Sequence, residues 1–569
     1  MKKLPWISAA ILSLAALAWM QVSQAANPPL ATLMPAGPMI YLEAKDFHGL
    51  LDEWNRSGVK KSWLTSANYK VFANSNLLQK LDGLYREYGA VAGFLPGLPG
   101  TIEIAGRESA LGLYDLREQY FVYITRVDES QLTKSQLWRL REKFTTREAS
   151  GIPFYLKRND ASNRTVAFAF TNGWLVLATR DDLMANTLAL IAHHPAQSLS
   201  EEPWFAAALP QAGNPGELRM ALNIQALTAD DRFRSYWIQR NISKLKPFNA
   251  AIADMQRTSG EIAENRIFVR APEQQATPPP DTALDAAAAL RAFSPPDAAL
   301  IKAWAAPEPD FVEQLIETKL LNPQTQPANP WEYAPQAADT DETAGTEQEL
   351  ETRIDEPSLA ADVSGKLNAA TLKTLIAKAA PDAVLQIQTS AAAGRFIRTP
   401  AVLVLSAPAA WDPTPVRESL AAAVESLWST SRLGVRFQPV TLGRHNAEQL
   451  NGLASLLFAI DGKHLFLAND AALLQATLDR IGIQPFPRGP AYAAEFRHSR
   501  ERSDYLRIMQ ALDFGGKPQT FFFNPQGNST PHFFSENLQS LSDALNFVKT
   551  ISVVQTETPQ VEKQRVVYR

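Results

Sequence analysis

The sequence predicts an α+β fold made of two tandem related domains, each a mainly antiparallel sheet packed with helices. The first observation behind this is an internal repeat. The segment from Ala167 reads AFAFTNGWLVLATRDDLMANTLALI and the segment from Leu457 reads LFAIDGKHLFLANDAALLQATLDRI, so a constant offset of 290 aligns them without a gap. Nine positions are then identical: Phe168/Phe458, Ala169/Ala459, Leu175/Leu465, Leu177/Leu467, Ala178/Ala468, Leu183/Leu473, Thr187/Thr477, Leu188/Leu478 and Ile191/Ile481. Each copy alternates apolar residues through two short strands, turns at Thr171-Asn172-Gly173 or Asp461-Gly462-Lys463, and then switches to helical spacing. The second observation is that strands come in runs, at Ala110 to Tyr114, Tyr120 to Arg126, Ile152 to Lys157, Thr165 to Phe170 and Trp174 to Thr179, with helices between some of them. That order excludes regular βαβ winding. The third is composition: 46% hydrophobic and 20% charged residues over 569 positions describe an ordinary globular chain of several domains.

The elements follow in the same order in both copies. Pro35-Ala-Gly-Pro-Met-Ile-Tyr-Leu leads to Asp46-Phe47 and Leu50-Leu51, and Pro296-Asp-Ala-Ala-Leu-Ile-Lys-Ala leads to Asp310-Phe311 and Leu315-Ile316. Both read as a strand, a short connection and an amphipathic helix. Tyr120 to Thr125 precedes a helical stretch from Ser130 to Phe144, as Ala401 to Leu405 precedes one from Pro415 to Trp428. Phe121 and Tyr123 on one face, against Tyr120, Val122 and Ile124 on the other, make the first of these strands central and covered on both sides. The helix from Asp181 starts at Thr179-Arg180-Asp181-Asp182, where short oxygen side chains suit free amides and a positive helix end, and Asn469-Asp470 repeats the arrangement. A helix through Leu245, Phe248, Ile252 and Met255 is expected before strand-like Gly260 to Arg270. Its counterpart runs through Leu538, Leu541, Leu545 and Val548 into Ile551 to Tyr568.

These landmarks set the expected boundaries: a signal peptide over 1–25, copy one over 35–270, a linker over 271–296 that begins APEQQATPPP, and copy two over 297–569. Copy two is 37 residues longer. It also contains an acidic loop insertion, 322–357, of about that length, unlike anything in copy one. From Asp339 to Glu356 this insertion carries eight acidic residues against Arg353, a local charge of −7 within a chain whose formal charge is −4. Such composition offers little to bury and reads as a solvated loop.

Lys2 and Lys3 precede an apolar run from Leu4 to Met20, and Ser23-Gln24-Ala25 forms a small-x-small cleavage site before Ala26. That is the secretory pattern, which places the mature protein in the periplasm, with a retained N-terminal anchor as the alternative. With no Cys in the chain, a lipid anchor at the cleavage site, disulfides, thiol nucleophiles, zinc ribbons and cysteine-ligated clusters are all excluded. No stable membrane span is expected after cleavage, and the near-neutral charge argues against nucleic acid as a partner.

No pattern carries chemistry with force. Capping accounts for Asp181 and Asp182, since copy two has Asp470-Ala471-Ala472 there. Adjacent His193 and His194 project about 100° apart on a helix and cannot chelate as an i, i+4 pair would; cations at a helix C-terminus explain them. Ser109, in Gly106-Arg-Glu-Ser109-Ala-Leu-Gly112, has the wrong spacing for a nucleophile elbow, and Ser243-Lys-Leu-Lys246 lacks the partner motifs of a Ser-x-x-Lys enzyme. Phosphate-cradling glycine loops are absent. Catalytic, cofactor-binding and metal-binding residues are therefore assigned to no position, and no cofactor is expected. Two segments stand out as candidate partner contacts: Trp331 and Tyr333 beside the acidic run, and Phe533 and Phe534 in the aromatic stretch that follows Phe521-Phe522-Phe523.

The signal segment, the Pro-x-x-Pro-x-Ile-Tyr-Leu-x-x-x-Asp-Phe motif at Pro35 to Phe47, and the strand-turn-strand-helix block at Phe168 to Ile191 together resemble a group of exported Gram-negative proteins. These are classed as domains of unknown function, and some are encoded beside bacterial α2-macroglobulins. The resemblance implies a cell-envelope role and transfers no site residues. The function expected is that of a non-enzymatic periplasmic binding or scaffolding protein with another envelope protein as partner. A periplasmic hydrolase acting on peptide or envelope material, with a site assembled from distant residues, is the alternative. Limited proteolysis of the native chain is expected to cut first between residues 322 and 357 and to leave both copies folded, because ordering that stretch costs about 1 to 2 kcal/mol per residue with few apolar groups to offset it. Earlier cleavage inside Phe168 to Ile191 would contradict these boundaries.

Overall fold

The computed structural model describes residues 29–569 apart from 66–68, 70–72, 74–75, 95–101, 232, 234–244, 322–367, 390–398, 429–434, 452–454, 485, 499 and 501–547. Two compact units divide the chain, residues 1–43 with 88–206 and residues 44–87 with 207–569. Helices combine with antiparallel sheet in both, an α+β fold. Among the described residues, no helix is long and apolar enough to cross a membrane.

The first unit contains β1 (Ile40–Ala44), β2 (Ser109–Leu113), β3 (Phe121–Arg126), β4 (Thr145–Ala149), β5 (Ile152–Asn159), β6 (Arg164–Thr171) and β7 (Trp174–Ala178). Their order is β1-β2-β3-β7-β6-β5-β4, with β2 to β7 joined by antiparallel ladders. Between β6 and β7, Asn172 and Gly173 have φ of 51° and 79°. A two-residue hairpin loop needs that left-handed pair to match strand twist, and Asn-Gly supplies it at low cost. The expected helix over Ser130 to Phe144 is instead two single-turn helices, Glu129–Leu132 and Gln136–Arg139, and a 3₁₀ turn, Arg141–Lys143. Ser135 breaks the run by capping the second of these, its Oγ accepting from the Trp138 N–H at 3.2 Å.

The second unit contains β8 (Leu218–Asn223), β9 (Phe248–Thr258), β10 (Glu261–Arg270), β11 (Leu300–Ala305), β12 (Ala383–Gln388), β13 (Ala401–Ser406), β14 (Gln438–Leu442), β15 (His445–Asn451), β16 (Ser455–Asp461), β17 (His464–Ala468), β18 (Tyr492–Arg497), β19 (Thr550–Glu557) and β20 (Val561–Tyr568). They run β8-β9-β10-β20-β19-β18-β11-β12-β13-β17-β16-β15-β14, antiparallel throughout. All twelve residues of β12 and β13 are buried, because helices cover both faces. Leu403 and Leu405 enter a core with the helices Pro309–Ile316, Ala370–Ala379 and Pro413–Trp428, whereas Val402 and Val404 enter a second core under the helices Asp281–Arg291 and Ala471–Leu478.

Two expectations are corrected here. The helix through Phe248, Ile252 and Met255 is strand β9, paired on both sides with β8 and β10; spacings of four and three residues satisfy a strand as well as a helix once both faces are partly covered. Of the proposed counterpart helix, Leu538, Leu541 and Leu545 lie outside the described residues, and Ile551 to Tyr568 is the hairpin β19–β20. The stretch 271–296 also contains more than a linker. Its residues from Asp281 to Arg291 form a helix with Ala283, Ala286, Ala287 and Leu290 buried, so the alanine run is core material rather than connection.

The repeat segments share their strand register. Phe168 pairs with Leu177 in one and Phe458 with Leu467 in the other, and Tyr123 and Leu403 occupy the neighbouring position. Thr187 and Thr477 each donate from Oγ1 to the carbonyl four residues back, Leu183 and Leu473, both at 2.8 Å. Ile481 departs from the pattern, lying beyond the helix end at Leu478, whereas Ile191 is within its helix.

One charged pair is fully enclosed. Arg219 on β8 and Asp254 on β9 have side chains 3% and 4% exposed and form a two-armed ion pair at 2.8 and 2.9 Å. The Gly216 N–H and the Gly213 carbonyl complete their bonding. Removing one partner leaves a buried charge unanswered, so Asp254→Ala is expected to lower unfolding free energy by about 3 to 5 kcal/mol, read from denaturant titration. A loss below about 1 kcal/mol, the value of an exposed pair, would show that water reaches the site.

Candidate functional site

The described residues among those singled out from sequence do not converge. Trp331, Tyr333, Phe533 and Phe534 lie outside the described residues, as do Ser243 and the acidic run. Ser109 opens β2 and is buried, its Oγ 2.7 Å from Thr125 Oγ1 and 3.3 Å from the Tyr123 hydroxyl. That hydroxyl cluster closes the β2–β3 ladder. Asp181 and Asp182 pair with Arg147 and Arg180, and the helix they open has no side-chain cap, which corrects the capping expectation in copy one. Asp470 does cap, accepting from the Leu473 N–H at 2.9 Å. His193 has φ of 57°, and the amides of His193 and His194 bond back to Leu190 and Ala189. The pair therefore terminates the helix in a Schellman turn, with His193 in the left-handed position glycine usually takes.

What the second unit does assemble is a pair of cavities on either side of one exposed aromatic ring. Phe486 is 50% exposed and lines both. The first, about 240 Å³, is walled by Arg291 at the end of the helix Asp281–Arg291, Ser294, Arg480 beyond the helix Ala471–Leu478, and Glu495 and Arg497 on β18. The second, about 600 Å³, lies between the start of that first helix and the strand ends carrying Asp382, Ala407 and Lys463. Beside it Arg488 clamps Asp285 at 2.8 and 3.0 Å and Asp281 at 2.6 Å, and these hydrogen bonds hold the Asp285 carboxyl below its ordinary pKa.

The first cavity is cationic. Arg480 uses Nε to donate to the Ala292 carbonyl at 2.8 Å. Arg497 answers Glu495 from Nε at 2.8 Å and reaches the Pro296 and Ala298 carbonyls. Arg291 stacks its guanidinium 5.1 Å from the Phe486 centroid and forms no hydrogen bond or ion pair among the described residues. Ser294 Oγ is buried with no partner. Three guanidiniums and one carboxylate leave a net charge of +2 in a partly desolvated space, where an anion would be held more strongly than at an open surface. No motif marks these residues, since Arg291 and Ser294 lie far in sequence from Arg480, Glu495 and Arg497.

The nearest approach to nucleophilic machinery lies at the second cavity's edge. Ser406 and His464 are direct cross-strand partners at the ends of β13 and β17. Ser406 is 0% exposed and its Oγ has no hydrogen-bond partner among the described residues, so the imidazole does not hold its proton. The His464 ring instead packs 5.2 Å from Phe293 and 6.5 Å from Phe466. Burial, and then Lys463, push its pKa below the ordinary histidine value, and burial does the same at His498. Among the described residues no group of three His, Asp or Glu side chains is placed to hold a metal.

No protein-family model matches the sequence, and no curated protein matches it. Among solved structures the chain is similar to crystal form I of TP0453, at 10% identity and a TM-score of 0.23, over 43% of this chain and 81% of that one. Crystal form III of the same protein gives 8% identity and 0.23, over 42% and 80%. Superposition that loose carries neither fold nor function across.

Because the Ser406 hydroxyl is buried unpaired, Ser406→Ala is expected to raise stability by about 1 kcal/mol, measured by denaturant titration. A loss would mean that the hydroxyl has a partner. The depressed histidines fix a pH dependence. Their folded pKa values lie below 6.5, so as pH falls through 6.5 the unfolded chain takes up protons first and stability declines. The unfolding midpoint should fall between pH 7 and pH 5, with a shallower slope in His464→Phe. An unchanged slope would remove His464 from the account.

Proposed function

We propose that the protein is an exported, non-enzymatic binding protein of the cell envelope that holds its partner on the second unit's surface around Phe486. The observation that carries this reading is an exposed aromatic ring set between two cavities and stacked with a guanidinium. Aromatic and Arg side chains are the commonest anchors of binding energy, and they act best from rigid walls with a recess beside them. Here the walls are helix and strand ends, not long loops. The secretory pattern at Lys2 to Ala26 and the likeness of the Pro35 to Phe47 motif to exported Gram-negative proteins support the envelope address.

A photo-crosslinking residue placed at Phe486 in cells is the direct test, with the same residue at Asp160, 95% exposed in the other unit, as control. A discrete adduct at 486 that is absent at 160, on a mature chain beginning at Ala26, is expected. Equal labelling at both positions, or none at 486, would overturn the proposal, and a chain retained in the cytoplasm would overturn its address.

A further inference from the structure

We infer that the smaller cavity is an oxyanion site, taking the carboxylate or phosphate group of a ligand whose apolar body lies on Phe486; this deepens the binding reading above and rests on it. At the offset of 290, Arg480 takes the place of Leu190. Aligning Pro296 with Pro35 puts Arg291 at the position of Leu30 and Ser294 at that of Leu33. In the first unit Leu30 and Leu33 are 6% and 4% exposed, packed as ordinary core. The architecture can therefore close this corner with leucine. In the second unit the same positions carry two cations and a hydroxyl around an open space of about 240 Å³, far above the roughly 10 to 15 Å³ that a single water needs.

Three guanidiniums in one recess repel each other, and stability alone gives no reason to gather them. A stapling role explains part of the set, since Arg497 and Arg480 hold the carbonyls of Pro296, Ala298 and Ala292. It does not explain Arg291, whose guanidinium holds no carbonyl among the described residues, or Ser294, whose buried hydroxyl has no partner among them. It also leaves the terminal nitrogens of Arg480 unbonded among the described residues. Those nitrogens form the planar fork that matches carboxylate and phosphate oxygens two at a time. A serine hydroxyl beside them can donate a further bond to the same group. Phe486, which lines the cavity and is 50% exposed, offers an apolar surface to whatever carries the anion.

The test is calorimetric titration of the full chain with inorganic phosphate, phenyl phosphate and benzoate. The expected result is one site per chain, with either phenyl phosphate or benzoate binding more tightly; the preferred one identifies the natural group as phosphate or carboxylate. Arg291→Gln breaks no side-chain hydrogen bond among the described residues and should weaken binding at least tenfold. Arg480→Leu, the residue the first copy carries, should abolish it, and Arg480→Lys, which keeps the charge without the fork, should fall between. Phe486→Ala should weaken the aryl probes and leave inorganic phosphate unchanged. Failure of all three probes to bind, or equal binding by wild type and by Arg291→Gln with the same unfolding midpoint, would overturn the oxyanion site. The two readings fail separately. Crosslinking at position 486 with no probe bound refutes the oxyanion site and leaves the partner surface standing, whereas probe binding without a crosslink supports the site and refutes the macromolecular partner.

Discussion

The ladder between β10 and β20 joins strands about 300 residues apart in sequence, and much of the second unit depends on it. Eight residue pairs, from Ile262 with Tyr568 to Val269 with Val561, run along it. Without them the hairpins β9–β10 and β19–β20 would each end in an open edge, a row of unpaired amides and carbonyls that invites association. Ion pairs close both ends of the ladder in opposite polarity. Glu261 meets Arg569 at 3.0 Å, and Arg270 meets Glu562 at 3.6 Å and Glu557. That is the pattern of a two-fold contact, in which residue i meets j and the counterpart of j meets the counterpart of i, here written within one chain. The order β8-β9-β10-β20-β19-β18 is symmetric about the same line.

Such a seam constrains what lies beyond it. β18 is anchored on one side through β19 to the ladder and on the other to β11, whose partner β12 sits in the doubly covered centre. Glu495 and Arg497 extend from this fixed strand. The opposite wall of the cationic cavity is no looser, since the helix Asp281–Arg291 is held by five buried residues and by the Arg488 clamp at its start. Distances between the guanidiniums are thus set by backbone elements with their own cores, and a ligand entering the cavity would meet a preformed arrangement rather than having to order one.

What was legible in the sequence follows the same division between local and distant. The strand-turn-strand-helix block could be read because its signals are local: alternation, Asn172-Gly173 with both residues left-handed, and Leu183, Leu188 and Ile191 at helical spacing. β9 was misread because Phe248, Ile252 and Met255 satisfy two periodicities, and only the pairing with β8 and β10 decides between them. The alanine helix from Asp281 was hidden in the expected linker because alanine gives little hydrophobic contrast, and its burial depends on a sheet formed by residues far along the chain. The cavity was least legible of all. Its arginines carry no shared spacing, and only their alignment with leucines of the first copy, Arg480 with Leu190 and Arg291 with Leu30, marks two of them.

On the binding reading proposed above, the exchange of Leu190 for Arg480 has an energetic cost. A helix end packed with leucine contributes transfer free energy for each apolar side chain it buries, about 1.5 to 3 kcal/mol, and a copy that gives up such residues loses that contribution. In the second unit the loss is offset elsewhere: β12 and β13 are buried along their whole length, and two separate cores flank them. The first unit keeps Leu30 and Leu33 sealed. A sheet buried along two whole strands can tolerate an unfilled, charged corner beside it, because its cores do not depend on the side chains at that corner.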